Sequence, residues 1–112
     1  METGNQNIKQ LAGYLKKNPN DSFTKFALAL ELLKLGDVSK ARVLFESVLK
    51  QDPDYLGVYF HLGKLYENNR RLIDAADLYE KGIELAKKQK NERTRQELTE
   101  ALEHLKTEMD ND

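Results

Sequence analysis

The sequence predicts an all-α fold, a right-handed stack of antiparallel helix hairpins, and three observations lead to this prediction. The chain repeats itself with a period of 34 residues, which brings Pro19 onto Pro53. Each repeat holds two segments with apolar residues at helical spacing. A proline between acidic or amide residues, Pro19 or Pro53, precedes each full repeat. Repeats of this length are typical of stacked helical hairpins. Pairs that match at this spacing include Phe26 and Phe60, Leu28 and Leu62, Ala41 and Ala75, and Phe45 and Tyr79.

The N-terminal segment, residues 6–17, is predicted to form one helix. Ile8, Leu11, Tyr14 and Leu15 fall on one of its faces. The same period relates Leu11, Tyr14 and Leu15 to residues in the second half of the following repeat. We therefore expect a half-repeat at this end of the chain.

The first full repeat, residues 22–50, is predicted to form two helices. Asp21 or Ser22 can accept hydrogen bonds from the free amides that begin the first helix. Gly36 suits a left-handed helix end, and Asp37 can cap the second helix. Because the turn is short, the two helices are expected to be antiparallel neighbours.

The second repeat, residues 55–88, is predicted to have the same design, with small Gly63 and Ala75 where paired helices cross. After Lys88 the period changes from 34 to 36 residues. This change indicates that the second helix of the second repeat is about two residues longer than its counterpart in the first repeat. A last helix, residues 91–107, carries an apolar stripe of Leu98, Leu102, Leu105 and Met109. Such a single-sided helix is expected to cap the open end of the stack.

Composition places limits on the class of protein. The chain has 112 residues, with 18 basic against 19 acidic side chains and no cysteine. Residues 1–112 are therefore expected to form one domain, without the overall positive charge that would favour nucleic acid or a membrane surface. The sequence shows no apolar signal core and no run long enough to cross a bilayer. The expected location is cytoplasmic.

The pattern of large, small and aromatic residues resembles the tetratricopeptide repeat (TPR) family over about residues 22–88. Leu28, Ala29, Leu32, Gly36, Ala41, Phe45 and Pro53 carry the resemblance in the first repeat, and Tyr59, Leu62, Gly63, Tyr66, Ala75 and Tyr79 carry it in the second. Three positions depart from the family pattern. Lys25 replaces a large apolar residue, Arg70 replaces a turn glycine, and Lys87 replaces a closing proline.

The resemblance implies a non-catalytic adaptor or scaffold whose first helices line a concave groove for a peptide or a partner surface. The known carboxylate clamp of the family needs Lys, Asn and Arg at positions that here hold Phe23, Ala27, Gly57 and His61, with Arg95 as the one candidate substitute. We therefore predict no clamp of this type. The alternative function is self-association as a homodimer through the edge of the first helix, at Ile8 or Tyr14.

The helical wheel predicts the residues of the groove. With Leu28, Ala29 and Leu32 pointing inward, the opposite face of the same helix is mostly apolar, although a solvated face should be polar. Exposed aromatic residues on such a face are typical of a binding surface. The alternative interpretation is that a terminal helix covers this face and makes it core. The predicted partner-binding residues are Phe23, Phe26, Leu30, Lys34, Phe60, His61, Lys64 and Asn68.

Other site chemistries find little support in the sequence. His61 and His104 lie 43 residues apart with no cysteine, so no metal site and no cofactor are predicted. The acid pairs Asp52 with Asp54 and Asp74 with Asp77 lie at helix starts, where acids favour the helix dipole, so no catalysis is predicted. A basic cluster lacks the interleaved aromatic residues of a nucleic-acid surface; it comprises Lys87, Lys88, Lys90, Arg93 and Arg95.

Overall fold

A computed structural model of the chain describes residues 2–111, and the side chains from residue 7 onward. This part of the chain has an all-α fold with six helices and no strand. The helices are α1 (Glu2–Lys17), α2 (Ser22–Lys34), α3 (Val38–Gln51), α4 (Gly57–Asn68), α5 (Leu72–Lys88) and α6 (Glu92–Asn111).

The helices form two compact units, residues 1–55 and residues 56–112. In the first unit, α2 packs against both α1 and α3. Ala29, Ala41, Phe45 and Val48 are fully buried there. In the second unit, α5 packs against both α4 and α6, and α4 also touches α6. Leu62, Tyr79, Leu98 and Leu105 are its largest fully buried side chains, together with Val58.

Glycine marks the helix crossings of the second unit. A Cβ atom on Gly63 of α4 would lie 2.4 Å from Cε1 of Tyr79 on α5. A Cβ atom on Gly82 of α5 would lie 2.8 Å from Cδ1 of Leu98 and 2.8 Å from Cβ of Tyr59. Real Cβ atoms do not approach neighbours this closely, so α5 can sit at these distances from α4 and α6 only because both positions lack a side chain.

Three helices end in the same left-handed turn. Gly36, Arg70 and Lys90 have φ angles of 81°, 62° and 58°. After each of them an amide bonds back to the preceding helix, as Asp37 N does to Leu32 O at 2.9 Å and Arg71 N does to Tyr66 O at 2.8 Å. Arg70 therefore adopts the conformation that glycine has one repeat earlier, at the steric cost of a Cβ atom.

Lys25, which replaces an apolar residue of the repeat pattern, is buried between α2 and α3. Its Nζ atom donates to Ser47 Oγ at 2.9 Å and to Gln51 Oε1 at 2.6 Å. Gln51 in turn donates from Nε2 to Asn20 O and to Ser22 Oγ. A polar network thus joins α2 and α3 at a position where Tyr59 supplies apolar contact in the second repeat.

Several helix ends differ from the sequence-based boundaries. The first helix begins at Glu2 rather than at residue 6, since no breaker other than Gly4 precedes it. Helix α4 begins at Gly57 rather than at residue 55, because a turn closed by Tyr55 N and Asp52 O keeps Tyr55 outside the helix. Helix α6 begins at Glu92 rather than 91 and continues to Asn111 rather than 107, since its apolar stripe extends to the half-buried Met109.

Helix α5 has 17 residues where its counterpart α3 has 14. Lys87 stands where the closing proline of the pattern would be, so nothing stops α5 before its left-handed turn at Lys90. Among the described residues, no helix is long and apolar enough to cross a membrane.

We expect Gly63→Ala to lower the free energy of unfolding by about 1–3 kcal/mol, because the added methyl group overlaps the ring of Tyr79. The matched control is Gly13→Ala, since nothing lies within 4 Å of a Cβ atom at this exposed position of α1. The control should raise stability by about 0.5–1 kcal/mol through helix propensity. Urea unfolding followed by circular dichroism measures both. Equal effects of the two substitutions would contradict the close crossing.

Candidate partner-binding site

A cleft of about 550 Å³ lies between α4 and α6 in the second unit. Its walls are formed by Phe60, His61 and Lys64 of α4 and by Glu97, Glu100, Ala101 and His104 of α6. Both sets follow helical spacing, so each helix presents one face to the cleft. Three of the predicted partner-binding residues therefore lie on one wall, and the opposite wall comes from the predicted capping helix.

The α4 wall combines an aromatic ring with a cation and an imidazole. Lys64 Nζ lies 5.8 Å from the ring centroid of Phe60, and the His61 ring meets the Phe60 ring edge-on at 5.5 Å. Burial lowers the pKa of His61 below its ordinary value, although the charge of Glu97 opposes the shift. His61 is therefore neutral at pH 7 and can offer one donor and one acceptor to a bound chain.

The α6 wall is acidic around a small residue. Glu97 and Glu100 are exposed, whereas Ala101 is buried at the floor between them and His104. Gln96 Nε2 donates to Glu100 Oε2 at 3.4 Å, which is a weak restraint. The cleft thus has a carboxylate-bearing side facing an aromatic and cationic side. This arrangement suits a peptide that offers an apolar side chain flanked by charges of both signs.

Asn68, also predicted for the groove, is the last residue of α4 and is exposed. It does not line this cleft. The remaining predicted residues lie in the first unit, where Phe23 is 68% exposed and Leu30 is half-buried. Lys34 is exposed and pairs with Glu31 at 3.1 Å. These positions provide a surface on α2 rather than an enclosed site.

Phe26 is half-buried in the first unit. Its ring centroid lies 5.6 Å from that of the fully buried Phe45 and 5.1 Å from that of Tyr55. Such tilted aromatic pairs stabilise a fold beyond the area they bury. Phe26 therefore contributes to the packing of α2 against α3, and neither terminal helix is needed to explain its burial.

A second group of polar side chains joins α4 and α6. Donor atoms of Glu67, His104 and Glu108 all lie within 4.8 Å of one another. Glu67 is 9% exposed, and its Oε1 atom accepts a hydrogen bond from Tyr79 Oη at 2.8 Å. One Glu108 oxygen, Oε1, is buried without a hydrogen-bond partner. We call these three residues the Glu-His-Glu cluster.

The contact with Glu67 favours the protonated form of Glu108 in this cluster. The hydrogen bond that the neutral Glu108 carboxyl makes to Glu67 raises the pKa of Glu108, and burial adds to this shift. The charges of His104 and Arg70 oppose it. Burial and the bond to Glu67 likewise raise the pKa of the Tyr79 hydroxyl, so Tyr79 stays a donor throughout the physiological range. The sequence analysis considered His104 together with His61 and missed both glutamates, although Glu108 follows His104 by one helical turn.

Comparison with known protein families identifies the fold. The family model described as tetratricopeptide repeat matches residues 32–92, which is more than half of the chain. The chain belongs to the tetratricopeptide repeat family. A TPR repeat-containing protein of Methanocaldococcus jannaschii is 34% identical over 74 residues, which are 66% of this chain and 23% of that relative. The chain therefore spans about a quarter of the length of this curated relative.

Solved TPR structures are similar over most of the chain. The crystal structure of a tetratricopeptide repeat domain protein from Salinibacter ruber has 45% identity and a TM-score of 0.75, over 78% of this chain and 97% of that one. The type III secretion chaperone SycD of Yersinia enterocolitica, in complex with a peptide of the translocator YopD, has 16% identity and a TM-score of 0.85, over 96% and 83% of the two chains.

The TPR2B domain of yeast Sti1, in a complex with pHsp70, has 15% identity and a TM-score of 0.81, over 90% of this chain and 81% of that one. At this identity the likeness concerns the fold alone. In the present TPR chain, Arg95, the one candidate for a clamp residue, is paired with Glu92 one turn earlier on α6.

We expect Phe26→Ala to destabilise the protein by about 2 kcal/mol, which lowers the melting temperature by roughly 10 °C, because the ring leaves a gap beside Phe45 and Tyr55. Phe23→Ala on the same helix is the matched control and should change stability by less than about 0.5 kcal/mol, since Phe23 is exposed. Thermal unfolding by circular dichroism distinguishes the two. Equal melting temperatures would show that Phe26 makes no stabilising contact.

The raised pKa of Glu108 predicts a pH-dependent effect of Glu108→Gln. A carboxyl whose pKa is higher in the folded state stabilises the fold below its unfolded pKa, and this contribution is lost as the pH rises through the folded pKa. In metal-free buffer, Glu108→Gln should therefore raise the melting temperature at pH 8 relative to the parent chain, with no gain at pH 4. Glu103→Gln, at an exposed position of α6, should show no such difference. A gain that is the same at both pH values would contradict the carboxyl pairing.

Proposed function

We propose that this chain is a non-catalytic protein-binding module that holds a segment of a partner protein in the cleft between α4 and α6. TPR proteins serve in general as protein-interaction modules, and the SycD and Sti1 structures described above contain peptide or protein ligands. The observation that carries the proposal is the cleft itself, with Phe60, His61 and Lys64 facing Glu97 and Glu100.

Phe60 is the proposed anchor of the partner segment. It is half-buried, so part of its ring stays open to a ligand while Lys64 and His61 fix its position. A preordered aromatic side chain in a cleft is typical of residues that dominate binding energy. The flanking charges of Lys64 and of Glu97 and Glu100 would select the orientation of the bound segment. In the first unit, the exposed Phe23 on α2 is a separate candidate contact residue.

The proposal is tested with peptides selected from a random display library on the intact 112-residue chain. Phe60→Ala should weaken the selected peptides by at least about tenfold in isothermal titration, since a hot-spot residue contributes more than 1 kcal/mol. Glu100→Lys alters the opposite wall at an exposed position and should weaken them by a similar factor without unfolding the protein. The control is Val43→Ala, a 57% exposed apolar position of α3.

Melting temperatures of all variants separate loss of binding from loss of structure. Binding that is unchanged in Phe60→Ala and Glu100→Lys would exclude the cleft as the peptide site. Equal weakening by Val43→Ala would instead indicate a different, extended surface.

Self-association is the second candidate function. Tyr14 of α1 is 53% exposed and borders a cleft of about 380 Å³ between α1 and α2, together with Leu11, Ala27 and Glu31. A second copy of the chain could cover this apolar surface. Light scattering over a hundredfold range of concentration tests it. A constant monomer mass would exclude a dimer in this range, and a dimer that Tyr14→Asp abolishes would support one.

A further inference from the structure

We propose that the Glu-His-Glu cluster of Glu67, His104 and Glu108 is a zinc site that clamps α6 to α4. His104 also lines the peptide cleft, so the two sites adjoin, and zinc binding is therefore tested in the absence of a peptide. Its donor atoms come from two helices and lie within 4.8 Å of one another, and His104 Nδ1 is 3.9 Å from Glu108 Oε1. His104 and Glu108 are one helical turn apart, so both side chains project from the same face of α6.

The buried and unpaired oxygen of Glu108 is the observation that calls for a cation. When Glu108 is ionised, its Oε1 atom is shielded from water and has no hydrogen-bond partner, although the side chain as a whole is 39% exposed. The neighbouring Glu67 side chain is almost fully buried. Two carboxylates in this position repel each other unless a proton or a metal ion lies between them. Lys64 does not fill this role completely, because its Nζ atom is 4.0 Å from Glu67 Oε1 and its side chain is 42% exposed.

The donor set fits zinc better than calcium or magnesium. Zinc accepts one imidazole nitrogen and two carboxylate oxygens at about 2.0–2.2 Å, with water in the fourth position. Calcium and magnesium require six or more oxygen ligands. Coordination needs the three donors to draw together by about 1 Å, and the exposed His104 side chain has the freedom to do so. The Tyr79 hydroxyl already orients Glu67, as outer-sphere partners of metal ligands do.

Zinc binding to this site should depend on pH. Binding requires a neutral His104 imidazole and two ionised carboxylates, so protons compete with the metal. The groups that face the cluster are Lys64 and Arg70 near the end of α4 and Tyr79 of α5, in addition to the three ligands. The positive charges of Lys64 and Arg70 oppose the binding of a cation at this site.

The experiment uses the 112-residue chain without an affinity tag, freed of metal with a chelator and titrated with zinc chloride in a calorimeter at pH 7.5. We expect one zinc ion per chain and a melting temperature raised by at least about 5 °C at saturating zinc. His104→Ala and Glu108→Gln should each weaken binding by at least about tenfold. Calcium chloride at the same concentration should leave the melting temperature unchanged.

The matched control is His61→Ala, which removes the other histidine of the chain. His61→Ala should keep the zinc affinity within about twofold of the parent value. A larger loss would mean that zinc binding does not depend specifically on His104. No zinc binding by the parent chain, equal loss in His61→Ala, or equal binding of calcium would each overturn the proposal. If the parent chain binds no zinc, the carboxyl groups of Glu67 and Glu108 share a proton and hold no metal ion.

Discussion

The fold of the second unit depends on the missing side chains at two helix crossings. Gly63 lets the Tyr79 ring lie against the backbone of α4, and Gly82 lets Tyr59 and Leu98 lie against α5. The distances between α4, α5 and α6 follow from these contacts, and so does the separation of the two cleft walls. In the first unit, Ala29 corresponds to Gly63 and Phe45 corresponds to Tyr79, and both are fully buried. The cleft walls are therefore positioned by residues that do not line the cleft.

The sequence predicted the helical architecture because the repeat carries redundant information. The 34-residue period, Gly36 in its left-handed turn and the small residues at the crossings all indicate the same hairpin, and both the family and the all-α fold are confirmed. Boundaries that depend on tertiary contacts were harder to predict. Tyr55 stays outside α4 in a turn, where its ring packs on Phe26, and α6 extends past residue 107 as its apolar stripe reaches Met109. The position of Tyr55 depends on its contact in the folded chain, whereas Met109 already belonged to the stripe seen in the sequence.

The candidate site was only partly accessible to sequence reasoning. Helical spacing alone indicates that Phe60, His61 and Lys64 share a face, whereas their partners Glu97 and Glu100 follow from how α6 packs. Phe26 and Phe60 occupy the same place in the repeat, yet one packs on Phe45 and the other lines a cleft. The Glu-His-Glu cluster combines residues from two helices, and Glu67 and His104 lie 37 positions apart in the sequence. No short sequence pattern could therefore reveal it.

The hydroxyl of Tyr79 gives the two copies of the hairpin different identities. At the equivalent places, the first repeat has Phe45 and Leu33, and the second has Tyr79 and Glu67 joined by a buried hydrogen bond. A chain that slipped by one repeat during folding would set Tyr79 against Leu33 and leave its hydroxyl without an acceptor, at a cost of about 1–3 kcal/mol. The hydroxyl oxygen of Tyr79 thus favours the pairing of α5 with α4 over a pairing of α5 with α2.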